Sequence, residues 1–469
     1  MKSSPSSSLT PWLGRGLFIG SLLLYVLTLS PGFFPGASAS FVAAHTGVNP
    51  LPPLVNHVWG WVIQLASLLP LGPLAVRVHL VGALSCAASV WFLFQIMLRL
   101  RYPVSFENGL PRGVAARARL FSALVAALVL ATAVPFWMVA TRAHPLAFGL
   151  MLMLGAFHLL LRYGENGRLG FLNAAVLVYA IGINDFATLV LFLPVFGLLT
   201  LYYLHLHGRL RAGVVLRLLG LALLGLAPQF IAAALYMRSD AYEWRMFSHY
   251  GQVLWYMWRD QYLLVIRGLP RVGWLTVGVV SLVPWVVVYV LGIGRRSASA
   301  GAWLGTAILC ALLSVLSGLV LLNIVISPWS MTRDNPLLVT PYVLIAMWTG
   351  ALAAFWLATL QRPERGIWPR IGQGFAAVLL LALLALGVRN GALAEGRSGR
   401  WFAQYAREVV DRLDGRTMLI SSGALDDLIL LEARARRVPL EIINLRASQQ
   451  LSYRRYVASL FDEPRYKSL

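Results

Sequence analysis

Long apolar runs alternate with short, arginine-bearing connections along most of the chain. Apolar runs of about 18–25 residues have the length of membrane-crossing helices. Eleven segments are expected to span: residues 13–31, 74–98, 120–140, 146–161, 170–184, 186–205, 214–236, 272–294, 302–326, 337–360 and 371–388. The fourth to sixth are short or closely joined, which leaves the number of spans between 145 and 205 open. Residues 53–70 break the pattern, because Asn56, His57, Gly60, Gln64 and Ser67 recur at three- to four-residue spacing and give one polar stripe. A helix of that kind lies in the membrane interface or against a wet cavity.

The pattern changes near residue 389. The last 81 residues hold fourteen basic and ten acidic side chains, a soluble-domain composition. They read as helix (400–413), strand (Thr417–Ser421), helix (424–436), strand (Pro439–Asn444) and helix (446–461), a βαβ-like unit with Gly415 and Gly423 at its turns. Phe402, Ala406, Val409 and Leu413 make one apolar helical face. The expected fold class is therefore an all-α polytopic membrane protein of about eleven helices, residues 1–388, followed by a small outward-facing α/β domain, residues 389–469. About 80 residues make a small core, so that domain is expected to pack on the membrane part.

Composition narrows the class. Apolar residues make up 59% of the chain, charged residues 12%, and mean hydropathy is +0.72, values that exclude a water-soluble enzyme, a disordered tail and a fibrous protein. A net charge of +21 and a pI near 10.7 would suggest nucleic acid in a soluble chain. Here the arginines cluster at span ends, where they set topology, and no nucleic-acid partner is expected. Seventeen Lys and Arg fall in one set of loops and seven in the other. The richer side is cytoplasmic by the positive-inside rule, which places the N-terminus inside and the C-terminal domain outside, periplasmic for a bacterial inner membrane. The first span follows Lys2 and Arg15 as a signal peptide would, but no clear cleavage site follows, so it reads as retained. Cys86 and Cys310 both lie in apolar runs and define neither a disulfide framework nor a zinc site.

Polar residues at membrane depth or in its mouths are the candidates for chemistry. Loop 1, residues 32–56, is rich in Pro and Gly and has no charge, and no acid occurs before Glu107. The outward carboxylates are Asp185, Asp240, Glu243, Asp260 and Asp334. Of these, Asp185, Asp240 and Asp334 are the catalytic candidates. Asp185 sits beside Asn184 between two close spans, where a helix cap is the competing role. Asp334 follows Arg333 directly. The loop holding Asp240 and Asp260 also carries Arg245, Arg259 and many aromatics. It reads either as a sugar- and phosphate-binding wall or as an interfacial aromatic belt with snorkelling arginines. Arg142 adds a further outward cation. His45, His57 and His144 also face outward, in a spacing that forms no metal set, and no metal site or cofactor motif is identified. Ser421-Ser422-Gly423 after a strand is a weak phosphate-loop signal, and a plain turn explains it as well.

The run LYVLTLSPGFFPGASASFVAAHTGVNPLPPLVNHVWGWVIQLASLLPLGPLAVRVHLVGAL resembles the opening of the "domain of unknown function 2723" family, multi-spanning proteins regarded as protein O-mannosyltransferase-like glycosyltransferases of the GT-C fold. PFWMVATRAHPLAF, GINDFATLVLFLP, VLWYMWRDQY and the tail from YAREVVDRLDG to EIINL continue the resemblance over most of the chain. It implies an inverting transfer from a polyprenyl-phosphate sugar donor, with a protein as an acceptor, in contact with membrane lipid. The family's loop 1 carries Asp-Ser-Gly-Glu-Phe, and the matching positions here are Ala37, Ser38, Ala39, Ser40 and Phe41, so both acids are replaced. A family Glu matches His144, a family Asn matches Asn184, and the following family His is Asp185; the His-Pro-Pro-Gly-Tyr-Pro stretch survives only as Pro52-Pro53. Substrate contacts are expected at the family-matched Ser38, Ser40, His144 and Asn184 and at His45, which faces outward by topology, beside the cations Arg142, Arg245, Arg259 and Arg333. Such a transfer needs a base for the acceptor hydroxyl and cations for the leaving phosphate. Serine and alanine do not substitute for a carboxylate. Three functions stay open: a divergent glycosyltransferase with relocated carboxylates, a pseudoenzyme that keeps the cavity as a lipid binder or scaffold, and a transporter or flippase. The missing repeats and mid-membrane charges weigh against the last.

Overall fold

The structure is a computed structural model of the chain and describes residues 9–48, 53–100, 112–238, 247–268, 339–361, 366–423, 425–449 and 451–462. It is a helical membrane protein with a small α/β unit at its C-terminal end. In chain order the helices are α1 (Leu9–Leu27), α2 (Ala37–His45), α3 (His57–Ser67), α4 (Leu74–Arg99), α5 (Arg112–Thr132), α6 (Val134–Thr141), α7 (Pro145–Asn166), α8 (Leu169–Ile183), α9 (Ala187–Leu206), α10 (Ala212–Arg238), α11 (Tyr250–Gly268), α12 (Thr340–Leu360) and α13 (Trp368–Ala394). Among the described residues, six helices are long and apolar enough to cross a membrane, with shorter apolar helices at Leu169–Ile183, Phe192–Leu206 and Tyr342–Ala358. The expected spans at 272–294 and 302–326 lie outside the described residues.

The segment expected as one span over 120–140 is two helices. Ala133 takes an extended conformation (φ −65°, ψ 125°) ahead of Val134-Pro135, because Pro135 has no N–H for the Ala131 carbonyl and so ends α5, while its fixed φ suits the first turn of a new helix. The bundle core is built from Tyr25, Leu93, Phe94, Leu130, Phe136, Leu150, Leu160 and Leu172, all fully buried. Where helices approach most closely the contacts are small. Ala126 of α5 faces Gly350 of α12, and a Cβ at Gly350 would stand 2.6 Å from the Ser122 carbonyl. Lipid offers no hydrophobic drive between spans, so close backbone packing of small residues is what holds such pairs.

The chain ends on α14 (Gly399–Asp411), β1 (Met418–Ser421), α15 (Asp426–Ala435), β2 (Glu441–Asn444) and α16 (Leu451–Asp462). β1 and β2 pair in parallel, Met418 opposite Glu441 and Ser421 opposite Asn444. Val410, Leu413, Ile429, Leu440 and Ile442 form a core internal to this unit. Ala406, Leu428 and Leu431 turn the other way and join Phe33, Trp59, Ile63 and Phe148 in a second cluster that docks the unit on the membrane helices. Helices α14 and α15 are thus apolar on two sides, one for each neighbour.

Two ends of the bundle follow from these contacts. At one end the Gly396 N–H donates to the Thr28 carbonyl (2.9 Å) and the Ser30 N–H to the Thr141 carbonyl (3.1 Å), which brings together loop 1, the α6–α7 junction and the C-terminal unit. At the other end Arg99 pairs with Glu165 (3.3 Å) and the His207 ring meets the Gly164 carbonyl (3.1 Å).

Candidate functional site

Loop 1 folds into α2 and α3, and these short helices line the candidate site. The polar stripe anticipated at 53–70 is buried at His57 and Gly60, half-buried at Asn56 and Ser67 and exposed at Gln64. His57 is buried, Gly60 lies under the His45 ring with no room for a Cβ, and the Gln64 amide donates to the His45 carbonyl (2.7 Å). Trp59 is fully buried and meets His45 and Phe41 edge-on, with ring centroids 5.6 and 6.2 Å apart.

Asp185 joins the α8–α9 connection to α3. Its Oδ1 accepts from the Val58 N–H (3.1 Å), its Oδ2 from the Trp59 N–H (2.5 Å), and the His57 N–H adds a third contact. The first N–H groups of a helix lack intrahelical acceptors and favour negative charge. Asp185 supplies both needs from far along the chain, while the residue preceding α3, Asn56, is left-handed (φ 57°) and makes no side-chain cap. Capping is thus its structural role, exercised on a distant helix rather than on its own. Burial raises its pKa to about 7 against the pull of these three N–H groups. Asn184 bolts α8 to α10, its amide donating to the carbonyls of Ile181 and Gly225 (both 2.9 Å).

His144 caps α7, its Nδ1 accepting from the Leu146 N–H at 3.2 Å. That bond assigns the tautomer: Nδ1 is bare, and the neutral ring carries its proton on Nε2. Burial lowers the pKa to about 4, so the ring stays neutral at pH 7 and offers a donor rather than a base. Its ring lies 5.5 Å from Phe41. His45 and His57 are likewise lowered to about 4, chiefly by burial. Arg142 follows α6 in extended conformation (φ −129°, ψ 156°), with its guanidinium 3.6 Å from the centre of the Phe34 ring; burial lowers its pKa to about 10. On α4, His79 Nδ1 donates to the Ser30 carbonyl (2.9 Å).

Buried polar atoms are normally satisfied. Here Ser38 Oγ, His45 Nε2, His79 Nε2, Arg142 Nε, His144 Nε2 and Asp426 Oδ2 are buried without a partner among the described residues. Ser38, Phe41 and His45 recur at helical spacing on one side of α2, towards Trp59 and His144. Ser40 points the other way and donates to Asp427 Oδ2 of α15 (2.5 Å). The structure therefore brings together Ser38, Ser40, His45, His144, Arg142, Asn184 and Asp185 around the ends of α2 and α3. Arg259 is exposed on α11, with its guanidinium 5.0 Å from the Tyr256 ring. Asp240, Arg245, Arg333 and Asp334 fall outside the described residues. Among the described residues no group of three or more His, Cys, Asp or Glu is placed to hold a metal ion.

Sequence reasoning missed His79, Phe34, Asp426 and Asp427. The Asp426-Asp427 pair in the first turn of α15 was the one local signal, since acids there favour a helix N-terminus. Nothing local shows that the second of them reaches loop 1.

The fold and site define a polytopic membrane protein with buried polar atoms near α2 and α3 that lack partners among the described residues. Residues 32–209 match the profile of the protein O-mannosyl-transferase TMEM260 N-terminal domain, a segment that runs from loop 1 to the end of α9 and contains most of this site. No curated protein matches the chain. Among solved structures it is similar to ArnT from Cupriavidus metallidurans in the apo state, with 16% identity, 97% of this chain and 89% of that chain covered, and a TM-score of 0.46.

Proposed function

We propose that the chain is a GT-C-like membrane glycosyltransferase of the protein O-mannosyltransferase kind, taking sugar from a polyprenyl-phosphate donor at the outward, periplasmic face. The observation that carries this reading is the set of buried donors without partners, the Ser38 hydroxyl, His144 Nε2–H and Arg142 Nε–H, inside the segment that matches the TMEM260 profile. In the transfer, the acceptor hydroxyl oxygen bonds to the anomeric carbon as the bond from that carbon to the phosphate oxygen breaks. The leaving lipid phosphate gains charge, and positioned donors in a dry site stabilise it. Arg142 supplies fixed positive charge there, and neutral His144 and Ser38 supply hydrogen bonds. The acceptor proton needs a base. Asp240 and Asp334 are the carboxylates we assign to that role, since both Asp185 oxygens serve α3.

A second reading, a donor-binding pseudoenzyme, is favoured by one observation. α2 carries serines and alanines, and the carboxylate that reaches α3, Asp185, is engaged by backbone.

Sugar transfer in membranes expressing the full chain tests both, with labelled polyprenyl-phosphate mannose and glucose as donors. The expected result is transfer by the wild type, lost in Arg142→Ala and in the Asp240→Asn, Asp334→Asn double variant. Donor bound without transfer selects the pseudoenzyme. Neither binding nor transfer refutes both readings.

A further inference from the structure

The C-terminal unit is docked against the site by a built contact. Gly32 and Gly399 let α14 approach the backbone of residues 30–32: a Cβ at Gly32 would stand 2.6 Å from Ala403 Cβ, and one at Gly399 would overlap Ser30 Oγ. The Ser40–Asp427 hydrogen bond (2.5 Å) fixes a second point, α15 against α2. Between them, Phe402 of α14 packs on Phe34, with ring centroids 5.5 Å apart and planes tilted by 57°. Phe34 in turn lies under the Arg142 guanidinium at 3.6 Å.

This order has a mechanical meaning. Phe34 precedes α2 in irregular backbone, and Arg142 sits in extended backbone between α6 and α7, so neither side chain is held by a helix of its own. A guanidinium over an aromatic face is oriented by that face, and the face by what packs behind it. Among the described residues no carboxylate pairs with Arg142, and its guanidinium rests on the Phe34 ring.

We infer that Phe402 is a positioning residue that holds Arg142 through Phe34, so that the C-terminal unit completes the loop 1 site. For Arg142 to act on a phosphate, this rests on the reading given under Proposed function; the positioning itself does not.

The experiment uses the full chain in lipid nanodiscs, as wild type, Phe402→Ala, Phe402→Trp and Phe402→Leu. Arginine modification by phenylglyoxal, read at Arg142 by peptide mass spectrometry, is independent of activity. Modification several-fold faster in Phe402→Ala, intermediate in Phe402→Leu and near wild type in Phe402→Trp is expected, with each variant's melting temperature confirming that it folds. An unchanged rate in both Phe402→Ala and Phe402→Leu overturns the inference. If Phe402→Ala does not fold, the contrast between leucine and tryptophan decides alone. Donor KM is the second readout, expected to rise about tenfold in Phe402→Ala, about 1.4 kcal/mol of donor interaction, with a smaller change in kcat. Faster modification with unchanged donor KM keeps the positioning and refutes Arg142 as a phosphate ligand. An inactive wild type leaves the modification result to decide.

Discussion

Loop 1 and the C-terminal unit share one face of the molecule and are held there by different means. The C-terminal unit has a core of its own and dresses its surface with ion pairs, Arg407–Glu432 at 3.7 Å and Arg436–Glu432 at 2.8 Å. α2 and α3 contain no Asp, Glu, Lys or Arg, and their fixed points are borrowed: the carboxylate of Asp185, the hydroxyl contact to Asp427 and the packing of Trp59 among α4, α7 and α15 residues. One region is stabilised from within, the other by distant parts of the chain. A borrowed loop can keep its inward surface for donors without internal partners, which is what a binding face requires.

Removing the lender should therefore hurt most. Asp185→Ala leaves three buried N–H groups of α3 without an acceptor, a loss of about 3 kcal/mol, seen as a clear drop in the melting temperature of the detergent-solubilised protein. Asp185→Asn keeps one acceptor oxygen and should lose about half as much. Gly60→Ala drives a methyl into the His45 ring and should cost about 2 kcal/mol; an unchanged melting temperature would show that the ring moves aside freely. At the small end, Glu432→Gln removes the acid shared by Arg407 and Arg436 on the C-terminal unit, and such exposed pairs contribute little. A loss there as large as that of Asp185→Ala would abolish the comparison.

pH separates the regions as well, because the shifted groups named here all lie on the loop 1 side. The folded-state pKa values of His45, His57 and His144 are lowered from 6.5 to about 4 by burial. The unfolded chain thus binds more protons than the folded one between these values, and stability is lost as pH falls from 6.5 towards 4. Asp185 has the opposite sign. Its pKa is raised from 3.8 to about 7, so the folded chain holds the extra proton, and that contribution is lost as pH rises through 7. The two windows overlap, so the three histidines outweigh Asp185, melting temperature should rise from pH 4 to about 6.5, and Asp185→Asn should steepen that rise.

The same contrast explains what was legible in the sequence. The C-terminal elements were readable to within a few residues, since strand, turn and helix signals there are local and the unit's core is made of its own residues: the expected strand Thr417–Ser421 is Met418–Ser421, and Pro439–Asn444 is Glu441–Asn444. The spans were legible because lipid demands length and apolarity, although the break at Ala133 needed attention to Pro135. The polar stripe of α3 was visible, but its partner His45 was not, because helical periodicity reports a face and not what covers it. Asp185 was readable as a cap or a catalyst. Which helix it serves depends on a contact 126 residues away, and Asp427 reaches loop 1 across 387 residues. No local pattern encodes such pairs.

The Asp185 cap also orders events during synthesis. A chain emerges from its N-terminus and domains fold in that direction, so α3 leaves the ribosome long before the carboxylate that completes its first turn, and Ser40 waits for Asp427, 387 residues later. A truncated or stalled product would carry loop 1 with its backbone donors bare and its glycine-rich segments uncovered. The face that we assign to substrate is thus closed only after residue 427 has been made.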